Sequence, residues 1–168
     1  MKRLLMLFLC IGLIFCMSAC IEPDVSVEKP VIYLYPTEEM NVNVELDYNG
    51  TLTTTYPEYN DGWNVLASPD GTLIDPVTER EYYCLFWEGT SDVEYDFSKG
   101  FVVKREDTRA FLEDSLAKLG LTQKEANEFI IYWLPRLEQN EYNLIAFQDE
   151  VYKENAELII TPAADTTI

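Results

Sequence analysis

The sequence predicts an α+β domain: a mainly antiparallel β-sheet or sandwich with a helix pair packed on one face. Three observations carry this. Apolar residues alternate with period two between Pro30 and about Lys104, the spacing changes to about 3.6 after Asp107, and strand-like runs return near Tyr142. Strands followed by two helices and more strands fit helices gathered on one face of an antiparallel sheet.

VIYLY (31–35) lies between Pro30 and Pro36, which confines it to a short or edge strand, because proline cannot donate to a ladder. Val42, Val44, Leu46 and Tyr48 alternate with Asn43, Glu45 and Asp47, as in a half-buried strand. Asn49-Gly50 then separates this run from Leu52, Thr54 and Tyr56, and predicts a two-residue hairpin in which both turn residues take positive φ. WNVLA (63–67) and TLI (72–74) are predicted strands joined by Ser68-Pro69-Asp70-Gly71, with proline and glycine where a type I turn prefers them. EYYCLFWE (81–88) is apolar on both faces and is placed centrally in the sheet, closed by Gly89. Val93, Tyr95 and Phe97 alternate with Glu94 and Asp96 as a further strand, and FVVK (101–104) completes this half.

A helix is predicted from Asp107 or Thr108 to about Leu119, with Leu112, Leu116 and Leu119 on one stripe and Gly120 as a left-handed stop. Thr122-Gln123-Lys124-Glu125 forms a capping box for a second helix. Its apolar face carries Ala126, Phe129, Ile130 and Trp133, and Pro135 should end it near Trp133 or kink it. YNLIAFQ (142–148) and AELIITP (156–162) are the closing strands.

Residues 1–20, MKRLLMLFLCIGLIFCMSAC, carry an address. Lys2 and Arg3 precede thirteen uncharged residues, Leu4–Cys16, a run too short for a comfortable membrane span but suited to a secretory signal. The M-S-A-C ending resembles the bacterial lipobox, which implies cleavage before Cys20 and lipid modification of that cysteine. The expected organisation is a signal peptide over 1–19, a tether over 20–29 and one α+β domain over 30–168. A strand-like pattern starting at Thr167-Ile168 reads as a truncated C-terminus. The expected location is a bacterial cell membrane or outer membrane, lipid-anchored on the extracytoplasmic side. Several acyl chains, at about 0.8 kcal/mol per buried CH2, hold such a protein firmly. Cleavage removes Cys10 and Cys16, so an acylated Cys20 leaves Cys84 without a disulfide partner, and the fold must rest on its hydrophobic core. Within YYCLFW, Cys84 reads as a small buried hydrophobe.

Composition removes whole classes of chemistry. With no histidine among 168 residues there is no Ser-His-Asp or Cys-His pair and no imidazole acid–base catalyst. A formal charge of −18, from 12 Lys+Arg against 30 Asp+Glu, argues against a nucleic-acid partner. No cofactor is expected.

The densest candidate binding feature is the turn from Tyr56 to Trp63, whose Tyr56, Tyr59, Asn60, Asp61 and Trp63 combine rings with hydrogen-bonding groups. Rings beside carboxylates suit a glycan or a peptide; the competing reading is a turn whose aromatics plug the core. Trp87 and Glu88 extend this set: Glu88 paired with Asp61 or Asp70 would give the two carboxylates of an envelope hydrolase acting on glycan or peptide. Asp92, Glu94 and Asp96, with Ser98, could hold a hard cation and stabilise a scaffold, although the run lacks the glycine and glutamate of an EF-hand. The leading reading is a lipid-anchored extracytoplasmic binding or interaction module, meeting the membrane through its N-terminal lipid and a protein or glycan through its domain.

KPVIYLYP (29–36), YPEYNDGW (56–63), PDGTL (69–73), LFWEG (85–89) and EANEFIIYWLPRLEQNEYNLIAF (125–147) together resemble an uncharacterised family of bacterial secreted proteins and lipoproteins, over most of residues 29–162. The resemblance supports export and implies no activity, cofactor or catalytic residue. Members of that family continue past the ITP-containing strand, in keeping with a truncated C-terminus.

Overall fold

Alternating burial builds two facing sheets. The structure, a computed structural model, describes residues 25–148 and 150–163. In the first sheet β8 (Leu85–Ser91) is central, flanked on one side by β4 (Thr51–Tyr56) and on the other by β1 (Val25–Val27) and β2 (Val31–Ile32), end to end. The second sheet runs in the order β11 (Ala156–Thr161), β3 (Met40–Tyr48), β5 (Trp63–Ala67), β6 (Leu73–Ile74), β7 (Glu81–Tyr82). All pairings are antiparallel. Every second residue points inward: Val42, Val44 and Leu46 from β3, Trp63, Val65 and Ala67 from β5, Leu85 and Trp87 from β8. With Val27, Ile32, Leu34, Leu73 and Ala156 they form one core between the sheets.

A two-stranded ribbon, β9 (Phe101–Lys104) with β10 (Tyr142–Ile145), stands apart from both sheets and packs with the helices. A 3-10 turn, Arg105–Asp107, leads into α1 (Thr108–Lys118), and Gly120 at φ 92 supplies the predicted left-handed stop before α2 (Gln123–Leu137). Thr108, Leu112 and Leu116 of α1 are buried, whereas Leu119 caps the helix in solvent. The capping box forms as predicted: Glu125 N–H donates to Thr122 Oγ1 at 3.4 Å, and Thr122 N–H donates to the Glu125 carboxylate at 2.7 Å. The fold is therefore α+β, with antiparallel sheets and a helix pair.

Tyrosines fasten α2 to the outer face of the first sheet. Tyr33 donates to Glu128 at 2.8 Å, Tyr35 to Glu125 at 2.7 Å and Tyr132 to Glu28 at 2.9 Å. Lys29 Nζ lies 5.5 Å from the ring centre of Phe86 and 5.9 Å from that of Tyr132. Burial, then the bond to Glu128, pushes the Tyr33 hydroxyl far above its ordinary value; burial, then the Glu125 bond, raises Tyr35 to about 12.

Five local expectations are corrected. Asn49-Gly50 does not close a hairpin, because β3 pairs with β5 and β11 while β4 pairs with β8 in the opposite sheet. Neither Asn49 nor Gly50 has positive φ; Asn49 N–H reaches Asn155 C=O at 2.9 Å, and the pair turns a corner between the layers. The expected tether contains β1, whose Val25 and Val27 alternate with Ser26 and Glu28 and pair with the end of β8. The run 81–88 splits into β7 and β8, and β8 continues through Gly89 to Ser91. Residues 92–97 form no strand, although their alternation resembles one. Helix α2 passes Pro135 and ends at Leu137: the bond lost to proline belongs to the carbonyl of the exposed Ile131, which water can reach. The sequence also gave no sign of the short α3 (Glu150–Asn155) that precedes β11.

Candidate functional site

The turn from Tyr56 to Trp63 folds inward more than outward. Trp63 is 2% exposed and donates from Nε1 to the Pro57 carbonyl at 2.9 Å. Tyr59 packs edge-on against it, with ring centres 4.6 Å apart, and its hydroxyl accepts from Leu46 N–H at 2.9 Å. The two rings thus bind the turn to the core and to β3. Outside remain Tyr56, which meets Tyr82 edge-on at 5.4 Å, together with Asn60 and Asp61. Asp61 sits at φ 57, a left-handed position that a short polar residue accepts.

Trp87 is likewise 2% exposed, and packs on Tyr48 with ring centres 4.8 Å apart. Its neighbour Glu88 points the other way, opposite Thr54 and toward Tyr132 on α2. Asp70 accepts from Thr72 N–H at 2.9 Å, and that bond, with the Thr72 side chain, holds its carboxyl below the ordinary range. Glu88 lies in β8, whereas Asp61 and Asp70 belong to two separate turns, Tyr56–Trp63 and Ser68–Gly71.

Asp92, Glu94 and Asp96 lie in a segment without regular structure. Among the described residues no three His, Cys, Asp or Glu side chains come together in a way that could hold a metal ion. Without a strand or a closed loop to gather them, the three acids are all exposed, and Asp96 accepts from Ser98 N–H at 2.7 Å. Cys84 is half-buried, and burial pushes its thiol up, away from the reactive thiolate. Cys20 lies outside the described residues.

The structure draws attention to a different surface. On one face of the β9–β10 ribbon, Val103 and Asn143 are buried. The opposite face carries Val102, 72% exposed, with Leu144 across from it and Tyr142 beyond, both also exposed. At one end of the ribbon Phe101, on the Val103 face, and Phe147 stay half in solvent and pack around Phe111 of α1, with ring centres 5.3 and 6.5 Å from it. Contiguous apolar surface of this kind marks an interaction site more often than a scatter of single residues does. Two clefts flank β9. One, of about 510 Å³, lies between Gly100–Lys104 and the Asp107 and Phe111 side chains; the other, of about 630 Å³, lies by Arg105, Arg109 and Tyr142. In the second, Arg105 is committed to the carbonyls of Asn140 and Gln139 at the end of α2, at 3.0 and 3.4 Å. The signal for this surface was present in FVVK: three consecutive apolar residues in a strand fill both faces, and a two-stranded ribbon has a partner layer for only one.

No helix among the described residues is long and apolar enough to cross a membrane. No family model and no solved structure matches the chain. A protein of Butyrivibrio fibrisolvens described as "Uncharacterized protein in bglA 3'region" is 48% identical over 64 residues, which make up 36% of this chain and 65% of that protein. The chain thus spans just under two thirds of that relative's length, and its similarity is to one segment of the sequence.

Proposed function

We propose that the protein is a lipid-anchored extracytoplasmic interaction module, held on a membrane through Cys20 and engaging a partner through the β9–β10 ribbon. The observation that carries the reading is the apolar outer face of that ribbon, Val102, Leu144 and Tyr142, exposed on a domain that buries both its core tryptophans. The lipobox-like ending at Cys20 supports the anchor. The excess of acidic residues keeps the domain clear of anionic headgroups and leaves the ribbon free to meet a partner.

Two measurements on intact cells test it. Cys20→Ser should move the protein from the membrane fraction to the soluble fraction; unchanged fractionation removes the anchor. A photoreactive Tyr142→p-benzoylphenylalanine variant should form a discrete adduct that a Val102→Lys/Leu144→Lys background abolishes while the melting curve stays in place. Adducts unchanged by the two lysines remove the ribbon as the interaction surface.

A further inference from the structure

The free edge of β9 has the geometry to accept another strand. Arg105 N–H reaches Glu141 C=O at 3.0 Å, which makes that pair hydrogen-bonded and, by alternation, Val103–Asn143 and Phe101–Ile145 as well. Val102 and Lys104 therefore turn their backbone groups away from β10. The Lys104 carbonyl is taken by the Thr108 hydroxyl at 2.9 Å. Val102 N–H, Val102 C=O and Lys104 N–H face the 510 Å³ groove, and among the described residues no strand pairs with them. An open strand edge of this kind is a template for an added chain.

We infer that this groove binds an extended peptide by strand addition to β9, and that the peptide carries a cationic residue beside an apolar one. The inference rests on the interaction-module reading and specifies its mode. Main-chain bonds to Val102 and Lys104 give such a peptide its register, and apolar side chains on alternate positions reach Phe101 and Phe111. The charge preference comes from Asp107, which lines the groove and whose carboxylate makes no capping bond to α1 and no hydrogen bond or ion pair among the described residues. Lys104, the cation on the same rim, is offset by Glu106 at 4.0 Å. A second copy of this chain is disfavoured as the occupant, because each copy carries 30 Asp+Glu against at most 12 Lys+Arg and two such bodies repel.

The test uses the full lipidated chain in nanodiscs and the blocked nonapeptide acetyl-(Lys-Val)4-Lys-amide. A second peptide of the same sequence is N-methylated at alternate residues, which keeps every side chain and charge but removes the ability to form a ladder. The unmodified peptide should bind at least about tenfold more tightly than the N-methylated one, and it should slow amide exchange at Val102 and Lys104. Asp107→Asn should weaken the lysine peptide by about three- to tenfold and leave a Ser-Val counterpart unchanged. Equal affinity for the two lysine peptides, or amides at Val102 and Lys104 that exchange as before, overturns strand addition and leaves only general attraction to an acidic protein. The photocrosslinking result is independent of this outcome: adducts at Tyr142 that depend on Val102 and Leu144, with no protection of the β9 edge, keep the module and discard the strand.

Discussion

The sandwich and the β9–β10 ribbon are both antiparallel, and they manage apolar residues in opposite ways. In the sandwich, two sheets supply a layer for each other, and the inward residues of β3, β5 and β8 disappear into one core. The ribbon has a layer on one side only, so Val103 is buried while Val102 next to it is exposed. The same alternation of a strand yields a closed core where a second sheet faces it and an exposed apolar surface where none does. The contrast places the stability of the fold in one region and, in the function proposed above, recognition in the other, and substitutions can separate the two.

The largest effect is expected at Trp87, deep between the sheets. Trp87→Ala should cost about 3–5 kcal/mol by the lost burial and the cavity left behind, read as a shift of the urea midpoint. A loss below about 1 kcal/mol would mean the two sheets do not share one core. Next comes Gly89, where a Cβ would approach the Tyr48 ring at 2.6 Å and the Thr51 carbonyl oxygen at 2.9 Å. The backbone oxygen cannot swing aside, so Gly89→Ala should destabilise by about 1–3 kcal/mol, and a neutral result would show that β4 can move away from β8.

The seam between the two regions has a pH signature. Burial alone would raise the Glu125 carboxyl, but bonds from Thr122 and Tyr35 outweigh it and hold the group below its ordinary 4.5. A carboxyl depressed in the folded state contributes stability that is present above its unfolded pKa and is lost as pH falls through the folded one. Tyr35, raised from 10.0 to about 12, contributes below pH 10 and loses that contribution as pH climbs toward 12. Attachment of α2 should therefore hold from above pH 4.5, the ordinary value of the Glu125 carboxyl, to about pH 10 and weaken at both ends. Glu125→Gln should flatten the acid limb and cost about 1 kcal/mol at pH 7, measured as the melting temperature across pH. An acid limb unchanged by Glu125→Gln would assign that limb to other carboxyls. The smallest effect belongs to the ribbon: Val102→Lys/Leu144→Lys should change stability by no more than about 0.5 kcal/mol, since both side chains already face water. A large loss there would place the ribbon in the fold's stability and break the contrast.

Local signals in the sequence were reliable where a single chain segment satisfies itself. The Thr122–Glu125 box, the Gly120 stop and the Ser68–Gly71 turn, closed by Gly71 N–H to Ser68 C=O at 2.9 Å, need only residues a few positions apart. Asn49-Gly50 misled because the same dipeptide serves a hairpin or a corner, and the choice rests with β5, β8 and β11, all distant in the chain. The candidate site was legible only in part. Aromatic residues in a turn do not say which way they point; Tyr59 and Trp63 went inward because β3 and the Pro57 carbonyl gave their polar atoms partners there. Tyr56, Asn60 and Asp61 stayed outside.

The sequence by itself determined the α+β class, the starts of the two long helices and the Gly120 stop, the alternation of the long strands and the excluded imidazole chemistry, because each depends on composition or on spacing within one element. Only the tertiary structure decided which strands pair, that the segment after Pro23 joins the sheet at Val25, that Trp63 and Trp87 are core, and that the β9–β10 ribbon keeps an apolar face in solvent. A strand's pattern states that one face is apolar; whether another layer arrives to cover it is a property of the whole chain.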